Sequence, residues 1–319
     1  MRYLITGGCG FIGSHLTETL LKSGNQVTIL DNLTTGRIGN IQHVESHPDL
    51  KLLVGSITDE ELVHEAIRDC DAVYHFASAV GVRLIMDQPV ESINTIVTGT
   101  QIVLKLANRY RKPILLTSTS EVYGKSQSVP FDEDGDRLEG PTTKHRWAYA
   151  CAKALDEFIA MAYWKTTSLP VIVVRLFNTV GPRQTGQYGM VIPNFVQQAI
   201  QGGPLRVHGD GKQTRCFCHV ADIVSGLEQL MHCKAAYGQV VNLGSTEEIS
   251  MHALAQRIVE RVGSKSTIEL VPYQQVFGDG FEDMLRRVPK ITKINQLIGW
   301  KPQRDLAKII DDVAAQFRS

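Results

Sequence analysis

Six short apolar runs recur along the first half of the chain without polar alternation inside them: RYLIT (2–6), QVTILD (26–31), LKLLVG (50–55), AVYHFA (72–77), PILLTS (113–118) and PVIVVRLF (170–177). A strand with one wet face alternates, so unbroken runs predict a sheet covered on both faces. The segments between them carry the helical period, as Ile12, Leu16 and Leu20 do at i, i+4 and i+8. Alternating strands and helices predict an α/β fold with a doubly wound parallel sheet and right-handed crossovers. Past residue 177 glycine and proline become frequent, as in Gly181-Pro182, Gly202-Gly203-Pro204 and Gly209-Asp210-Gly211. That change predicts a smaller C-terminal lobe, interleaved with a return to the sheet at VVNLG (240–244). The expected division is a sheet domain over 1–176 and 221–247, and a second lobe over 177–220 and 248–319.

Composition narrows the partners. The 33 basic and 33 acidic side chains of the 319 residues cancel, so any anion must be held by a local site rather than by bulk charge. Neither nucleic acid nor a membrane surface is expected as a partner. Six cysteines are scattered, and Cys216-Phe217-Cys218-His219 has no second ligand pair to close a tetrahedron, so buried free thiols and no metal are expected. The chain starts directly in an apolar strand, and no apolar run approaches the roughly 18 residues of a membrane span. The expectation is a cytoplasmic protein with reduced thiols.

The first candidate chemistry is in LITGGCGFIG (4–13), where Gly7, Gly10 and Gly13 are spaced by three between a strand and a helix. Gly7 permits the turn, Gly10 lets backbone approach a pyrophosphate, and Gly13 lets the helix lie close to the sheet. Free N–H groups at the helix start then face the anion, as in a Rossmann dinucleotide site. The next strand ends in Asp31, eighteen positions past Gly13, where a carboxylate can accept from both ribose hydroxyls. The same charge repels a 2′-phosphate, which favours NAD over NADP, with Arg37 nearby as the opposing signal.

The second candidate is WAYACAKALDEFIAMAYW (147–164). Tyr149 and Lys153 are four apart and share a helix face, opposite an expected apolar stripe of Leu155, Phe158, Ile159 and Ala162. An ammonium beside a phenol lowers the phenol's pKa, which suits a base working near neutrality. The third is LLTSTSEVYGK (115–125), which leaves a strand directly into Thr119, Ser120 and Glu121. In a doubly wound sheet the carboxyl ends of strands face the ligand crevice. These residues also read as a helix cap, and both uses are compatible.

Together these residues resemble the extended short-chain dehydrogenase/reductase family of nucleotide-sugar epimerases, dehydratases and decarboxylases. The resemblance spans essentially the whole chain: TGGCGFIG (6–13), DN (31–32), HFASA (75–79), YACAK (149–153), RLFNTVGPR (175–183), GDGKQTRCF (209–217), RRVP (286–289) and GW (299–300). It implies tightly held NAD and a nucleoside-diphosphate sugar, UDP-linked by preference. Phe11, Ile12, Asn32, Ser56, Ile57, Phe76 and Ala77 join Gly7, Gly10, Gly13 and Asp31 as implied cofactor residues. It also implies a homodimer through helices of the sheet domain, and places the sugar nucleotide in the second lobe.

The resemblance further implies transient oxidation of the sugar to a 4-ketone. Tyr149 takes the proton of the 4-hydroxyl, Thr119 hydrogen-bonds the same oxygen, and Lys153 holds the ribose and the phenolate. Three fates are then open. Decarboxylases of UDP-hexuronates, the UDP-xylose synthases and the bacterial aminoarabinose-pathway enzyme, are similar at STSEVYG, and the last also at GPTTKHRWAY (140–149). They carry a glutamate and a distant arginine that map to Glu121 and Arg287, the arginine orienting a C6 carboxylate and the acid supplying or organising a proton. Epimerases need no acid at Glu121, and many dehydratases place a second acid where Ser120 stands. Decarboxylation of UDP-glucuronate is therefore expected first, 4-epimerisation second and 4,6-dehydration third, with a non-catalytic dinucleotide sensor as the rival outside enzymes. Ser120, Asn178, Arg215 and Arg287 are the implied substrate contacts, Arg287 serving a decarboxylase or clamping a diphosphate. Asn94 is expected to steady a loop near Tyr149.

Overall fold

In the computed structural model, residues 1–78, 88–186, 190–277 and 284–318 are described; Ala79, the last residue of HFASA, lies outside them. The six runs become β1 (Arg2–Thr6), β2 (Gln26–Asp31), β3 (Leu50–Val54), β4 (Ala72–His75), β5 (Ile114–Thr119) and β6 (Val171–Leu176). Four short strands come next: β7 (Thr179–Val180), β8 (Leu205–His208), β9 (Thr214–Cys216) and β10 (Cys218–His219). The predicted return is β11 (Gln239–Leu243), and the chain then adds β12 (Glu248–Ser250), β13 (Ile268–Val271) and β14 (Arg286–Arg287).

Seven strands form one sheet in the order β11-β6-β5-β4-β1-β2-β3, every neighbouring pair parallel. Chain order reverses at β1, which pairs with β2 on one side and β4 on the other. A crevice opens at such a switch point, beyond the carboxyl ends of the strands. The crossovers are α1 (Phe11–Lys22), α2 (Glu60–Arg68), α3 (Pro89–Arg109) and α4 (Ala148–Thr167). Asp59 starts α2 by accepting from the N–H groups of Glu61 and Leu62 at 3.1 and 3.2 Å, with Glu60 and Glu61 in its positive first turn.

Two apolar clusters cover the two faces of the sheet, one around Ile5, Leu16, Ile29 and Ile223, the other around Leu4, Val73, Leu104 and Val173. That double cover is why the runs lack polar alternation. A third cluster joins α5 (Val191–Ile200), α7 (Met251–Val262) and α10 (Leu306–Arg318) through Phe195, Leu254, Ile258 and Ile310. α6 (Val220–His232) returns the chain to the sheet, while α8 (Tyr273–Phe277) and α9 (Thr292–Ile298) flank the late strands.

The expected stripe on α4 is corrected by the structure. Leu155 and Phe158 are 46% and 65% exposed, Ala162 is exposed too, and Ile159 is only half-buried. The buried face consists of Ala150, Ala152, Lys153, Ala154, Asp156, Glu157 and Ala160. Small residues let α4 lie close against α3 and β5, and the buried charges are neutralised in place: Lys153 by Asp156 at 3.2 Å, Glu157 by Arg175 at 2.7 Å. Asn94 is also corrected, since it sits exposed inside α3 rather than beside a loop.

Candidate active site

A cavity of about 700 Å³ runs along the switch point from the glycine loop to the helices and short strands that follow β6. Its first end is built by β1, β2 and β4. Gly7 adopts a positive φ of 74°, and a Cβ there would lie 2.8 Å from the Ala77 nitrogen. At Gly13 a Cβ would meet the Gly7 carbonyl oxygen at 2.3 Å, so α1 could not reach its seat on the loop. Gly10 is the residue before α1, so the N–H groups of the first turn, from Phe11 and Ile12, open toward the cavity they line.

Asp31 closes this end. Its carboxylate is 6% exposed and accepts from the Cys9 and Leu33 N–H groups at 2.9 and 2.8 Å, which leaves lone pairs on both oxygens for further donors. Burial pushes its pKa up, and these two backbone bonds oppose the rise. Asn32, Ile57, Phe76 and Ala77 line the same end. Ser56 does not: its hydroxyl pairs with Thr58 at 2.8 Å, and the neighbouring Ile57 meets the cavity instead.

The middle of the cavity carries Thr119, Ser120, Glu121, Tyr149 and Lys153. Thr119 caps the short turn Ser120–Tyr123 by accepting from the Glu121 N–H at 3.2 Å, and it faces the cavity, so capping and site functions coexist. The expectation for Tyr149 is corrected. Burial raises the phenol's pKa above its ordinary value of 10.0, Glu121 raises it further, and the hydrogen bond with Thr119 only partly offsets this. The reason is the placement of charge: Lys153 donates to Asp156 on its own helix, and Asp156 itself adds to the rise at Tyr149.

Glu121 is gripped from two directions. Arg146 donates to Oε2 at 2.6 Å and Arg287 lies 2.5 Å from Oε1, the three side chains being only 6–13% exposed. Burial alone would raise the Glu121 carboxyl, but Arg287, Arg146 and then Arg215 outweigh it and hold it at about 2. A carboxylate so low carries no proton near neutrality, and it can organise the site but not supply a proton. Arg287 arrives from β14, which pairs in parallel with β9 in a register that sets it opposite Arg215. Arg215 is held by the Thr214 carbonyl at 2.8 Å, and Asn178 by the Cys216 carbonyl at 2.9 Å; both line the cavity beside Ser120.

The structure thus brings to one cavity every sequence-selected residue except Ser56 and Asn94. Sequence reasoning missed Arg146 as a contact, although RWAY places it about one helical turn before Tyr149. It also missed the far wall, where Phe195, Arg206, His208, Gln213 and Tyr273 extend the cavity toward α5, β8 and α8. Among the described residues no group of His, Cys, Asp and Glu could hold a metal ion, and no helix is long and apolar enough to cross a membrane.

Residues 4–313 match the family profile described as GDP-mannose 4,6 dehydratase. The chain is similar to the UDP-N-acetyl-alpha-D-glucosaminuronate decarboxylase of Bacillus cytotoxicus, 41% identical over 99% of this chain and 98% of that one. It is also similar to UDP-glucuronic acid decarboxylase 1 of Danio rerio, 39% identical over 94% of this chain and 69% of that one. Among solved structures, the dTDP-glucose 4,6-dehydratase of Streptomyces venezuelae with NAD bound superposes with a TM-score of 0.88 at 30% identity, covering 100% of this chain and 96% of that one.

Proposed function

The chain belongs to the GDP-mannose 4,6-dehydratase family, among the extended short-chain dehydrogenase/reductases, and on that premise we propose that it is an NAD-dependent decarboxylase of UDP-glucuronate acting through a transient 4-keto sugar. The observation that carries the reading is Arg287 seated on Glu121 in the cavity wall that also holds Thr119 and Tyr149. A guanidinium there gives a C6 carboxylate a partner in fork geometry, which neither epimerisation nor dehydration of a neutral hexose requires.

The glycine loop and Asp31 fit NAD, because the backbone approach at Gly7 and Gly13 tolerates no Cβ and the Asp31 carboxylate has lone pairs to spare. When bound, NAD supplies a cationic nicotinamide that accepts a hydride from the sugar and returns it. The resting phenol of Tyr149 is kept protonated by burial and Glu121, and the positive charge that bound NAD would supply would favour its phenolate. Tyr149 then takes the proton of the sugar's 4-hydroxyl, with Thr119 hydrogen-bonded to the phenol and Lys153 on the same helix face. The 4-ketone makes the C6 carboxylate that of a β-keto acid: the C5–C6 bond breaks, carbon dioxide leaves, the bonding pair is held as the C4–C5 enolate, and C5 takes up a proton from water, since Glu121 carries none. Glu121 keeps Arg287 and Arg146 in place through the step. Asn178 and Arg215 face the diphosphate, and the second lobe holds the nucleotide base.

A second substrate is favoured by one observation: the relative matching 98% of its own length acts, by its name, on the N-acetylated hexuronate. Purified protein incubated with UDP-glucuronate, its 2-acetamido counterpart and UDP-glucose, with product masses monitored, separates the readings. Loss of the mass of carbon dioxide from UDP-glucuronate supports the proposal, and the same loss from the acetamido sugar alone moves it to that substrate. Unchanged mass with altered retention, or loss of water, overturns decarboxylation in favour of epimerisation or dehydration. Retained NAD without turnover of any sugar leaves a sensor.

The same reading includes a homodimer in the cytoplasm. Leu155 and Phe158 on α4 and Val90 and Ile93 on α3 are exposed apolar side chains on two packed helices, a surface suited to a second copy.

A further inference from the structure

Behind the catalytic helix lies a row of polar side chains that ends on Lys153 and whose other members have no part in the reaction as described. Thr6, His75, Thr100, Asp156 and Lys153 are each at most 3% exposed, and they come from β1, β4, α3 and α4. The Ala77 N–H lies 3.2 Å from Thr6 Oγ1, Thr6 Oγ1 lies 2.7 Å from His75 Nδ1, and His75 Nε2 lies 3.1 Å from Thr100 Oγ1. Thr100 Oγ1 in turn lies 3.0 Å from Asp156 Oδ2, the oxygen on which the Lys153 ammonium also bears at 3.2 Å.

The direction of every bond in this row is fixed by counting protons. A carboxylate only accepts, so Thr100 donates to Asp156 and has no proton left for His75. His75 therefore donates from Nε2, and its Nδ1 accepts the Thr6 hydroxyl proton. Thr6 Oγ1 is then open to receive the Ala77 N–H. Burial, with Lys153 adding to it, holds the His75 ring at about 3 and hence neutral, consistent with one proton on Nε2. Four donors thus point the same way and end on one carboxylate, an arrangement in which each bond polarises the next. The other oxygen, Oδ1, is buried and makes no hydrogen bond among the described residues, a cost that packing alone does not explain.

We propose that Asp156 is the positioning residue of the Tyr149/Lys153 pair: the donor row fixes its carboxylate, and the carboxylate fixes the Lys153 ammonium. The proposal rests on the assignment of Tyr149 as the base. The groups facing the pair are Lys153, Asp156 and Glu157 on its own helix, His75 from β4 and Thr100 from α3. From the end of β5 come Thr119 and Glu121, with Arg146, Arg287 and Arg215 behind Glu121. Within this set Asp156 is the carboxylate on Lys153, and its charge opposes phenolate at Tyr149. Burial and then Glu121 do most to keep the resting phenol protonated, and Asp156 adds to them while it holds the Lys153 ammonium.

Two isosteric variants move the pair in opposite directions. In Asp156→Asn the opposing charge is gone, so the acidic limb of the rate of bound-NAD reduction on mixing with substrate moves down by about one pH unit. In Thr100→Val the carboxylate loses a donor and leans harder on Lys153, so the limb moves up by a smaller amount. A merely structural role changes melting temperature and leaves both limbs in place, which overturns the proposal. A further readout needs neither turnover nor a variant. In the substrate-free protein labelled with 15N-histidine, His75 shows a neutral ring protonated on Nε2 between about pH 5 and 9. A ring protonated on Nδ1, or one that titrates near its ordinary value, overturns the donor row even if both variants fail to fold. Because that spectrum is recorded without sugar, its outcome is independent of which nucleotide sugar the enzyme consumes.

Discussion

Replacing Glu121 by glutamine removes one charge from the tightest ion cluster of the cavity and leaves the shape intact. In the folded protein the carboxyl is held at about 2 against an ordinary 4.5, with Arg287 and Arg146 at 2.5 and 2.6 Å. At about 1.4 kcal/mol per pH unit that displacement corresponds to roughly 3 kcal/mol of stability, within the range expected when one member of a buried pair is removed. The sign is set by linkage. A carboxyl whose folded pKa lies below its unfolded one contributes in full above about 4.5 and loses that contribution as pH falls toward about 2. Urea unfolding of both proteins should therefore show a gap of about 3 kcal/mol at pH 7 that shrinks to less than half near pH 3. In turnover, release of carbon dioxide should fall by on the order of 100-fold or more, while co-purified NAD stays at the native level. A gap below about 1 kcal/mol at pH 7, or one that does not change with pH, refutes the clamp. Intact turnover refutes the role given to Glu121.

Tyr149→Phe removes the proton acceptor and should cut reduction of bound NAD by on the order of 100-fold or more, read as absorbance growth after mixing with substrate; native-speed reduction would make another group the base. In Gly13→Ala the new Cβ meets the Gly7 carbonyl oxygen at 2.3 Å, so the loop and α1 must part, and the purified protein should carry little or no NAD. Arg146→Met retains a long side chain and Arg287, but loses the 2.6 Å bond to Glu121; kcat should drop at least about tenfold with nucleotide binding little changed, as measured by steady-state kinetics and calorimetry. Phe158→Asp, at a position 65% exposed, should convert a dimer to a monomer in light scattering without lowering the melting temperature of the monomer.

Part of this protein is written in contiguous sequence. The runs at 2–6, 26–31 and 170–177 became strands because a parallel sheet covered on both faces selects apolar residues along most of each strand. The glycine loop was equally legible, because the absence of a Cβ is a property of the residue itself and Gly10 and Gly13 crowd against Gly7 within the loop, whereas the approach of Gly7 to Ala77 comes from the fold. Tyr149 and Lys153 share a helix face by spacing alone.

What the sequence did not determine depends on groups distant in the chain. Periodicity assigned Leu155 and Phe158 to the core, yet α4 turns its alanines and paired charges inward, because the alanines permit close approach to α3 and β5 and the charges find fixed partners in Asp156 and Arg175. The phenol beside an ammonium was expected to be acidic, and burial with Glu121 and Asp156 makes it the reverse. Arg287 meets Glu121 only because β14 pairs with β9, and Arg146 reaches the same carboxylate from the turn before α4. Residue type and local spacing are carried by the chain, whereas dielectric and the sum of surrounding charges are properties of the folded volume. The sequence determined which groups are present and which neighbours share an element; the tertiary structure alone decided which of them hold a proton and on whom each charge acts.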